Sequence, residues 1–444
     1  MAIKVGFVSL GCPKNTCDTE VMLKKLIDEG FEIVPEDIQA DVMIVNTCAF
    51  IESAKQESID YILDLAYLKE HHNLKGIVVT GCLATRYADE IEKSLPEADA
   101  IVSAGAEGDI VKAVKEAYEG KRYKNTLPTE CLELGGERVV TTPDYMAYLK
   151  IAEGCDNRCT YCAIPDIRGK FRSRKIEDVL NEARELSSMG VRELVLVAQD
   201  TTRYGEDLYG EYSLDKLLEA LATNKDCNFT WIRLLYCYPD KITDSLVETM
   251  KKYDNIAKYI DMPIQHINDN VLHAMNRRGG RETIVSAVKK LREAMPDITI
   301  RTTVIVGFPG EKASDFEELL QFVKEEKFER LGAFAYSREE NTPAYSFSGQ
   351  VPKKTKTARL DRIMEAQYNI HAEKNSSLVG KTLKVVCEGY DEVAEIYYGR
   401  SEMDAPEIDS KIYFSARHRV RDGEFLSVEI TEASDYDLIG KEKI

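Results

Sequence analysis

Short apolar runs alternate with amphipathic stretches along most of the chain. In its first part, apolar runs at residues 3–10, 42–45 and 76–79 are each followed by a stretch in which apolar residues recur at helical spacing. A continuous apolar run is typical of a strand buried on both faces, and alternation with helices is typical of a parallel sheet. We therefore predict a parallel α/β domain at the amino end.

The alternation continues through the middle of the chain. Amphipathic stretches such as 176–189 and 281–295 separate six further apolar runs, which lie at residues 148–151, 193–198, 231–236, 259–264, 298–306 and 331–336. A complete TIM barrel has eight strand–helix units, and this part of the chain has six. We predict a partial (β/α)6 TIM-like barrel whose active face lies at the carboxyl ends of its strands.

The pattern changes near the carboxyl end. A helical segment at 355–375 is followed by strand-like runs with turns but no helices between them, at residues 382–388, 395–398, 411–414 and 425–431. This pattern predicts a small β-barrel. Prolines and paired glycines at 121–144 indicate a linker with one hairpin. The predicted fold class is an α/β multidomain chain, with domains at 1–125, 141–375 and 378–444.

Three cysteines, Cys155, Cys159 and Cys162, follow the first predicted strand of the partial barrel. Their C-x3-C-x2-C spacing supplies three thiolates, so a cubane iron–sulfur cluster held there keeps one iron open to another ligand. A structural zinc loop is the alternative. Zinc takes four ligands, however, and no histidine occurs between residues 73 and 265. The spacing therefore favours a catalytic cluster.

A second set of three cysteines is spread over the first domain. Cys12, Cys48 and Cys82 each follow one of its three apolar runs. Because the carboxyl ends of parallel strands lie along one edge of a sheet, we expect these cysteines to converge. Three unrelated core cysteines are the alternative, since free cysteine is among the most buried residues. The repeated strand-end position favours a second cluster.

The central triplet, with Tyr161 before its last cysteine, resembles the signature of the radical S-adenosylmethionine (SAM) enzymes. Two three-cysteine sites in this order resemble the methylthiotransferases, a branch of that superfamily, and this resemblance covers essentially the whole chain. The motifs at 11–15, 46–51 and 199–202 resemble the members that modify a ribosomal protein. The predicted small barrel is similar to the TRAM domain that closes these enzymes.

The resemblance implies two [4Fe-4S] clusters and SAM as cofactors. It implies that the central cluster splits SAM into methionine and an adenosyl radical, which takes a hydrogen from an unactivated carbon. The cluster on the first triplet would hold the sulfur to be inserted, and a second SAM would supply the methyl group. Both clusters are then expected to face one cavity between the first two domains.

The resemblance also points to residues that contact SAM. The superfamily places the turn that contains Gly307 and Pro309 against the adenine, and it places Tyr161 nearby. Gln199 and Gln265 follow the second and fourth predicted strands of the partial barrel, so we expect both to line the same cavity.

For several polar residues near these motifs, the sequence allows two different roles. His266 lines the SAM cavity or is a satisfied polar residue at the barrel rim. Arg168, Arg172 and Arg174 bind carboxylates of SAM or substrate, or they form a solvated basic loop. Cys17 competes as a cluster ligand during assembly or faces the core from the first helical turn.

The net charge and the cysteine content limit the classes of partner that the protein can bind. The 444 residues carry a net charge of −18, and residues 378–444 contain nine Lys or Arg and fifteen Asp or Glu, a net −6. This sign argues against nonspecific nucleic-acid binding and favours a basic partner. Eleven cysteines, without a long apolar run or signal-peptide features, indicate metal or redox chemistry in the cytoplasm and no membrane partner.

The resemblance, the charge and a motif at 399–409 in the last domain favour one activity. It is the methylthiolation of the β-carbon of an aspartate in small-subunit ribosomal protein twelve, with an electron donor such as flavodoxin or ferredoxin. A tRNA methylthiotransferase that acts on a modified adenosine is the alternative, since it shares the six cysteines and the barrel. A non-catalytic iron–sulfur carrier is a second alternative, which needs no SAM cavity.

Overall fold

The computed structural model describes residues 2–35 and 37–443. Met1, Glu36 and Ile444, which fall within the predicted first and last domains, lie outside the described residues. The first domain contains the strands β1 (Lys4–Ser9), β2 (Glu32–Val34), β3 (Val42–Thr47), β4 (Gly76–Gly81), β5 (Ala100–Val102) and β6 (Tyr123–Asn125). They form one parallel sheet in the order β2-β1-β3-β4-β5-β6.

Helices cover both faces of this sheet, which explains why β3 and β4 are continuous apolar runs. The helices are α1 (Pro13–Asp28), α2 (Glu52–His71), α3 (Cys82–Arg86), α4 (Ala88–Ser94) and α5 (Ile110–Tyr118). Helices α1 and α5 pack on one face, and α2, α3 and α4 pack on the other. The hairpin predicted in the linker is wrong, because β6 pairs in parallel with β5 and extends the sheet.

The middle of the chain forms the predicted partial barrel. Its strands are β7 (Met146–Lys150), β8 (Ala152–Glu153), β9 (Arg172–Ser173), β10 (Glu193–Val197), β11 (Trp231–Leu234), β12 (Ile256–Asp261), β13 (Thr299–Val306) and β14 (Arg330–Ala335). Six of them form an open parallel sheet in the order β14-β13-β12-β11-β10-β7, while β8 and β9 pair as a small antiparallel ribbon.

The barrel helices are α6 (Ile164–Arg168), α7 (Ile176–Ser188), α8 (Glu206–Tyr209), α9 (Leu214–Ala222), α10 (Asp244–Lys252), α11 (Asp269–Ala274), α12 (Gly280–Ala294) and α13 (Ala313–Glu326). The largest apolar core lies between these helices and the sheet. A long helix, α14 (Lys353–Ser376), then leads to the last domain. No helix among residues 2–35 and 37–443 is both long and apolar enough to cross a membrane.

The last domain is a closed five-stranded barrel of β15 (Thr382–Asp391), β16 (Ile396–Ser401), β17 (Ile412–Ser415), β18 (Phe425–Ala433) and β19 (Leu438–Glu442). The order of its strands is β15-β16-β17-β19-β18, and the sequence pattern missed β19. The predicted fold class is confirmed in all three parts.

The motif at 399–409, which we associated with the basic partner, instead fastens the small barrel to the central domain. Buried Arg400 forms an ion pair with Glu193 of β10. Asp404 binds Arg330 of β14, with an N–O distance of 2.5 Å. Arg400 and Asp404 therefore bind partners inside the molecule and are not available to a binding partner.

Candidate active site

The first cysteine triplet lies at the carboxyl edge of the first sheet. Cys12 follows β1, Cys48 follows β3, and Cys82 follows β4 and opens α3. Gly11 allows the first two loops to approach, because its φ is +99° and an added Cβ would lie only 2.8 Å from the Cβ of Cys48. The three strand ends therefore meet, as their equivalent positions predicted.

Side-chain amides tie these loops together. The Asn15 amide donates hydrogen bonds to the carbonyl oxygens of Leu10 (2.8 Å) and Thr47 (3.0 Å). The Asn46 amide in turn donates to the Asn15 carbonyl at 3.0 Å. Because all of these groups are buried or partly buried, the bonds fix the relative positions of the strand ends.

The central triplet lies in the loop after β8. The backbone N–H of Cys155 donates to Gly169 O at 3.1 Å, and that of Cys162 donates to Cys159 O at 3.0 Å. Arg158, between the first two cysteines, adopts a φ of +51° and its carbonyl accepts a 2.9 Å hydrogen bond from the Asn276 amide. The loop is thus held in one conformation by the segment that follows α11.

The cysteines of each triplet are close enough to influence one another's ionisation. Burial raises the pKa of Cys82 to about 12, and Cys12 and Cys48 add to this rise. Burial likewise raises the pKa of Cys155 to about 11, with a further contribution from Cys159. Bound iron would reverse this preference, because a metal cation stabilises its thiolate ligands.

The donor sets fit [4Fe-4S] clusters. Each site offers three thiols, the number that leaves one iron without a protein ligand. Among residues 2–35 and 37–443, no group of three His, Cys, Asp or Glu side chains is arranged around a single ion. In a cubane each thiolate binds a different iron, so its ligands lie farther apart than the ligands of one ion.

Two tyrosines after β11 connect the triplets. The Lys14 ammonium, two residues after Cys12, lies 3.4 Å from the ring centroid of Tyr236. The hydroxyl of Tyr238 lies 3.7 Å from Cys159 Sγ. Burial opposes the charge of Lys14, yet the pKa of Lys14 is raised because Tyr236, Cys12 and Glu153 more than offset it. One short segment of the central domain therefore reaches both cysteine sites.

A buried ion network also joins the two domains beside the triplets. Arg168 binds Asp18 at 2.7 Å and Glu153 at 3.4 Å, and it donates to the Asn15 amide oxygen at 2.5 Å. Lys150 pairs with the same two carboxylates. Burial alone would raise the pKa of Glu153, but Lys150 and Arg168 lower it to about 2. These charges remain ionised and hold α1 against the central domain.

This network, with the contacts of Arg172 and Arg174, excludes both interpretations of the arginine loop. Arg168 does bind carboxylates, but they belong to the protein. Arg174 pairs with Glu182 at 2.6 Å, and Arg172 donates to carbonyl oxygens of residues 129, 130 and 132. Neither a solvated basic loop nor a SAM carboxylate site describes them, because all three arginines are committed to internal partners.

Cys17 lies on α1 but faces away from the first triplet. Its thiol is buried and lies 3.7 Å from the carbonyl oxygen of Tyr148 and 3.5 Å from the Arg138 guanidinium. Burial raises its pKa to about 12. The core-facing interpretation is therefore confirmed for Cys17.

Buried polar atoms without partners line the carboxyl edge of the barrel sheet. They include Gln199 Oε1, Gln265 Oε1, Asn157 Oδ1 and His266 Nε2. Gln265 is also held at a φ of +68°, a strained backbone for a residue with a side chain. Because buried polar groups are normally hydrogen-bonded, this set fits a polar ligand such as SAM, which carries an amino group, a carboxylate and an adenine.

The turn after β13 lies near Tyr161. Phe308 belongs to the apolar cluster against which the Tyr161 ring packs. Glu311 fixes the turn, because its Oε2 accepts hydrogen bonds from the N–H groups of Gly307 (2.6 Å) and Phe308 (3.1 Å). Gly307 has a φ of +74°, and an added Cβ would lie 2.4 Å from the Lys356 side chain. Pro309 is buried in the same turn. An adenine contact for these residues stays a prediction.

The buried His266 should make stability depend on pH. Its Nδ1 accepts from the Asn268 N–H, and burial lowers its pKa from 6.5 to about 4. Glu311 lies 4.0 Å from Nε2 but is already bound by Arg359 and two N–H groups, so it does not offset burial.

As pH falls from 6.5 to 4, His266 becomes protonated in the unfolded chain but stays neutral in the folded protein. The free energy of unfolding therefore decreases across that window by about 3 kcal/mol. His266→Gln should flatten the urea-unfolding profile there, while the exposed control His72→Gln should not. Parallel profiles for the two variants would contradict the prediction.

The sequence reasoning did not single out Glu153, Asn157, Tyr236, Tyr238 or Arg277. Glu153 and Asn157 flank Cys155, so their proximity was a usable signal. Tyr236 ends a predicted strand on the active face and Tyr238 lies two residues beyond it, which is also a signal. Arg277 gives no such signal, because its guanidinium reaches a position 4.1 Å from the Tyr238 ring only through the fold.

Comparison with known proteins agrees with this geometry. Residues 149–323 match the radical SAM superfamily, residues 4–103 match the uncharacterized protein family UPF0004, and residues 379–442 match the TRAM domain. The ribosomal protein uS12 methylthiotransferase RimO of Clostridioides difficile (strain 630) is 49% identical over 439 residues, which is 99% of this chain and 98% of the relative. The chain belongs to the RimO family.

The RimO of Thermoanaerobacter sp. (strain X514) is 48% identical and covers 98% of this chain and 99% of its own length. The RimO family is one of radical SAM methylthiotransferases, so the predicted enzyme class and the predicted cofactors, SAM and two [4Fe-4S] clusters, are confirmed.

Among solved structures, the radical SAM methyltransferase TsrM of Kitasatospora setae superimposes with a TM-score of 0.57 at 15% identity, over 78% of this chain and 74% of its own. At that identity the likeness concerns the fold alone.

Proposed function

We propose that this chain methylthiolates ribosomal protein uS12 at the β-carbon of an aspartate. The observation that carries the proposal is the meeting of both cysteine triplets at one interface, where Tyr236 lies beside Lys14 and Cys12 while Tyr238 contacts Cys159. Sulfur insertion requires a sulfur source and a radical source at the same carbon. Two cluster sites on opposite faces of the molecule would not permit it.

We assign one [4Fe-4S] cluster to Cys12, Cys48 and Cys82 and the other to Cys155, Cys159 and Cys162. When bound, the clusters and SAM supply the radical chemistry, the sulfur and the methyl group, which amino-acid side chains cannot provide. The chain itself binds and orients these groups. We place SAM against Tyr161, Gln199, Gln265, Gly307 and Pro309.

The protein's own residues also shield part of the site from water. Cys82, Cys155 and Cys159 are each at most 6% exposed, and the ion network of Arg168 and Glu153 closes the domain interface behind the triplets. Exclusion of water protects a reactive intermediate from side reactions. The chain thus supplies shielding and fixed positions, and the bound cofactors would supply the chemistry of bond cleavage.

The net charge of −18 supports a basic protein substrate, because electrostatic attraction accelerates encounter with a partner of opposite sign. It disfavours tRNA, whose phosphates would be repelled by the acidic small barrel. The reaction needs a reductant, and we propose flavodoxin or ferredoxin in the cytoplasm. We also propose domain limits of 1–125, 141–375 and 378–444.

The activity can be tested with the full chain reconstituted with iron and sulfide under anaerobic conditions. Given SAM and dithionite, it should add a methylthio group to uS12, detected by mass spectrometry of the tryptic peptides. A uS12 with asparagine at the target position is the matched control and should gain much less product. Methylthiolation of tRNA without modification of uS12 would replace our proposal by the tRNA activity. Absence of 5′-deoxyadenosine would indicate a non-catalytic iron–sulfur carrier.

A further inference from the structure

Lys14 is a buried cation whose ammonium lies over the ring of Tyr236. Only 7% of the residue is exposed, and its ammonium lies 3.4 Å from the centroid of the Tyr236 ring. Among the residues that the structure describes, no carboxylate forms an ion pair with this ammonium. Buried charges are normally paired, because an unpaired charge in the interior is costly. Lys14 has no carboxylate ion-pair partner among the described residues, which therefore suits it to bind a carboxylate of a ligand.

The neighbouring carboxylates are already committed. Asp18 binds both Lys150 and Arg168. Glu153 binds the same two cations and also accepts from Gly154 N–H (3.1 Å) and the Gln199 amide (2.5 Å).

A third carboxyl group, that of Glu107, lies near the same network, and burial raises its pKa. Asp18 and Glu153 thus pair with Lys150 and Arg168, and among the described residues neither forms an ion pair with Lys14.

The surrounding backbone holds this cation in place. Tyr236 adopts a φ of +62°, which is uncommon for a residue with a side chain. Its N–H donates to Asp261 Oδ2 and its carbonyl accepts from Thr201 N–H, both at 3.0 Å. Cys12, Cys48 and Tyr236 are each partly exposed, so a ligand can reach the residues around Lys14 from solvent.

We infer that Lys14 binds the β-carboxylate of the substrate aspartate and thereby places its β-carbon beside the first triplet. The inference rests on the proposed function. The carboxylate is bonded directly to the carbon that is modified, and Lys14 is two residues from Cys12, so one contact would fix the reacting carbon near the sulfur-bearing site. A neutral nucleobase would leave the ammonium unpaired, which makes Lys14 a determinant of substrate class.

The test is a cycle of two changes, one in the enzyme and one in the substrate. Fluorescence anisotropy measures the Kd of the cluster-loaded full chain for a labelled uS12 peptide with aspartate or asparagine at the target position, without reductant. Lys14→Met and the asparagine peptide should each weaken binding about tenfold to a hundredfold, the range of a hydrogen bond between charged groups. Together they should weaken it no further, because both remove the same contact.

Two further variants separate this role from others. Lys14→Arg keeps the charge and should retain most of the affinity. Lys112→Met removes another lysine that lies over a tyrosine ring in the same domain, 4.9 Å from the centroid of Tyr123, and should change nothing. Iron content and melting temperature establish that Lys14→Met is folded.

Equal affinity of the unaltered enzyme for both peptides would overturn the inference whatever the variants do. So would additive losses, or a Lys14→Met that alters only the cluster spectra, since Lys14 would then compensate the charge of the cluster. Failure of the unaltered enzyme to methylthiolate the aspartate peptide would instead refute the proposed function.

Discussion

Replacement of Cys155, Cys159 and Cys162 together by alanine is expected to remove about half of the iron bound by the reconstituted protein, because we assign one cluster of the same type to each triplet. It should also abolish the formation of 5′-deoxyadenosine from SAM, since the open iron is lost with the cluster. Iron quantitation, Mössbauer or EPR spectra and chromatography of the SAM products measure the three consequences.

The reciprocal variant should separate the two sites. Alanine at Cys12, Cys48 and Cys82 should remove the other half of the iron and abolish methylthiolation while 5′-deoxyadenosine still forms. Cys131→Ala, which removes an exposed cysteine outside both triplets, is the matched control and should keep all of the iron. A triplet variant that loses all or none of its iron would show that the two sites are not independent clusters.

The strand ends were predictable because their signal is local. An apolar run such as 76–79 must be buried on both faces, and the residue at its end then lies at the sheet edge by topology alone. Cys82 needed no more information than that. The same reasoning located Gln199 and Gln265 at the edge of the barrel sheet, where the structure leaves their amide oxygens without partners.

The partners of the buried arginines could not be predicted in this way. Arg168 and Asp18 are 150 residues apart in the chain, and no periodicity indicates which distant carboxylate an arginine will meet. From sequence alone, a run of charged residues is interpreted as exposed, because its buried partners are known only once the chain is packed. Arg400 is a second example, because it resembled part of a partner surface and is instead buried against Glu193.

Strand β19 was missed for a related reason. It is only five residues long and its burial alternates, so the run at 438–442 carries little apolar signal of its own. It is a strand because β17 and β18 both pair with it and close the barrel. Such an element depends on tertiary contacts more than on local propensity.

Arg168→Met is expected to destabilise the junction of the first two domains by about 3–5 kcal/mol, the range for removing one member of a buried ion pair. The methionine fills similar volume, so the loss comes from charge. Asp18 and Glu153 would each lose one of their two cationic partners, and Asn15 would lose a hydrogen-bond donor. Urea unfolding followed by circular dichroism measures the change.

Two comparisons isolate the electrostatic cause. Arg158→Met breaks an exposed pair with Asp166, whose side chains are 62% and 64% exposed, and should cost less than about 1 kcal/mol. Adding Asp18→Asn to Arg168→Met should recover part of the lost stability, because it neutralises the carboxylate left underpaired. Equal stability of Arg168→Met and Arg158→Met would mean that the buried network does not hold the two domains together.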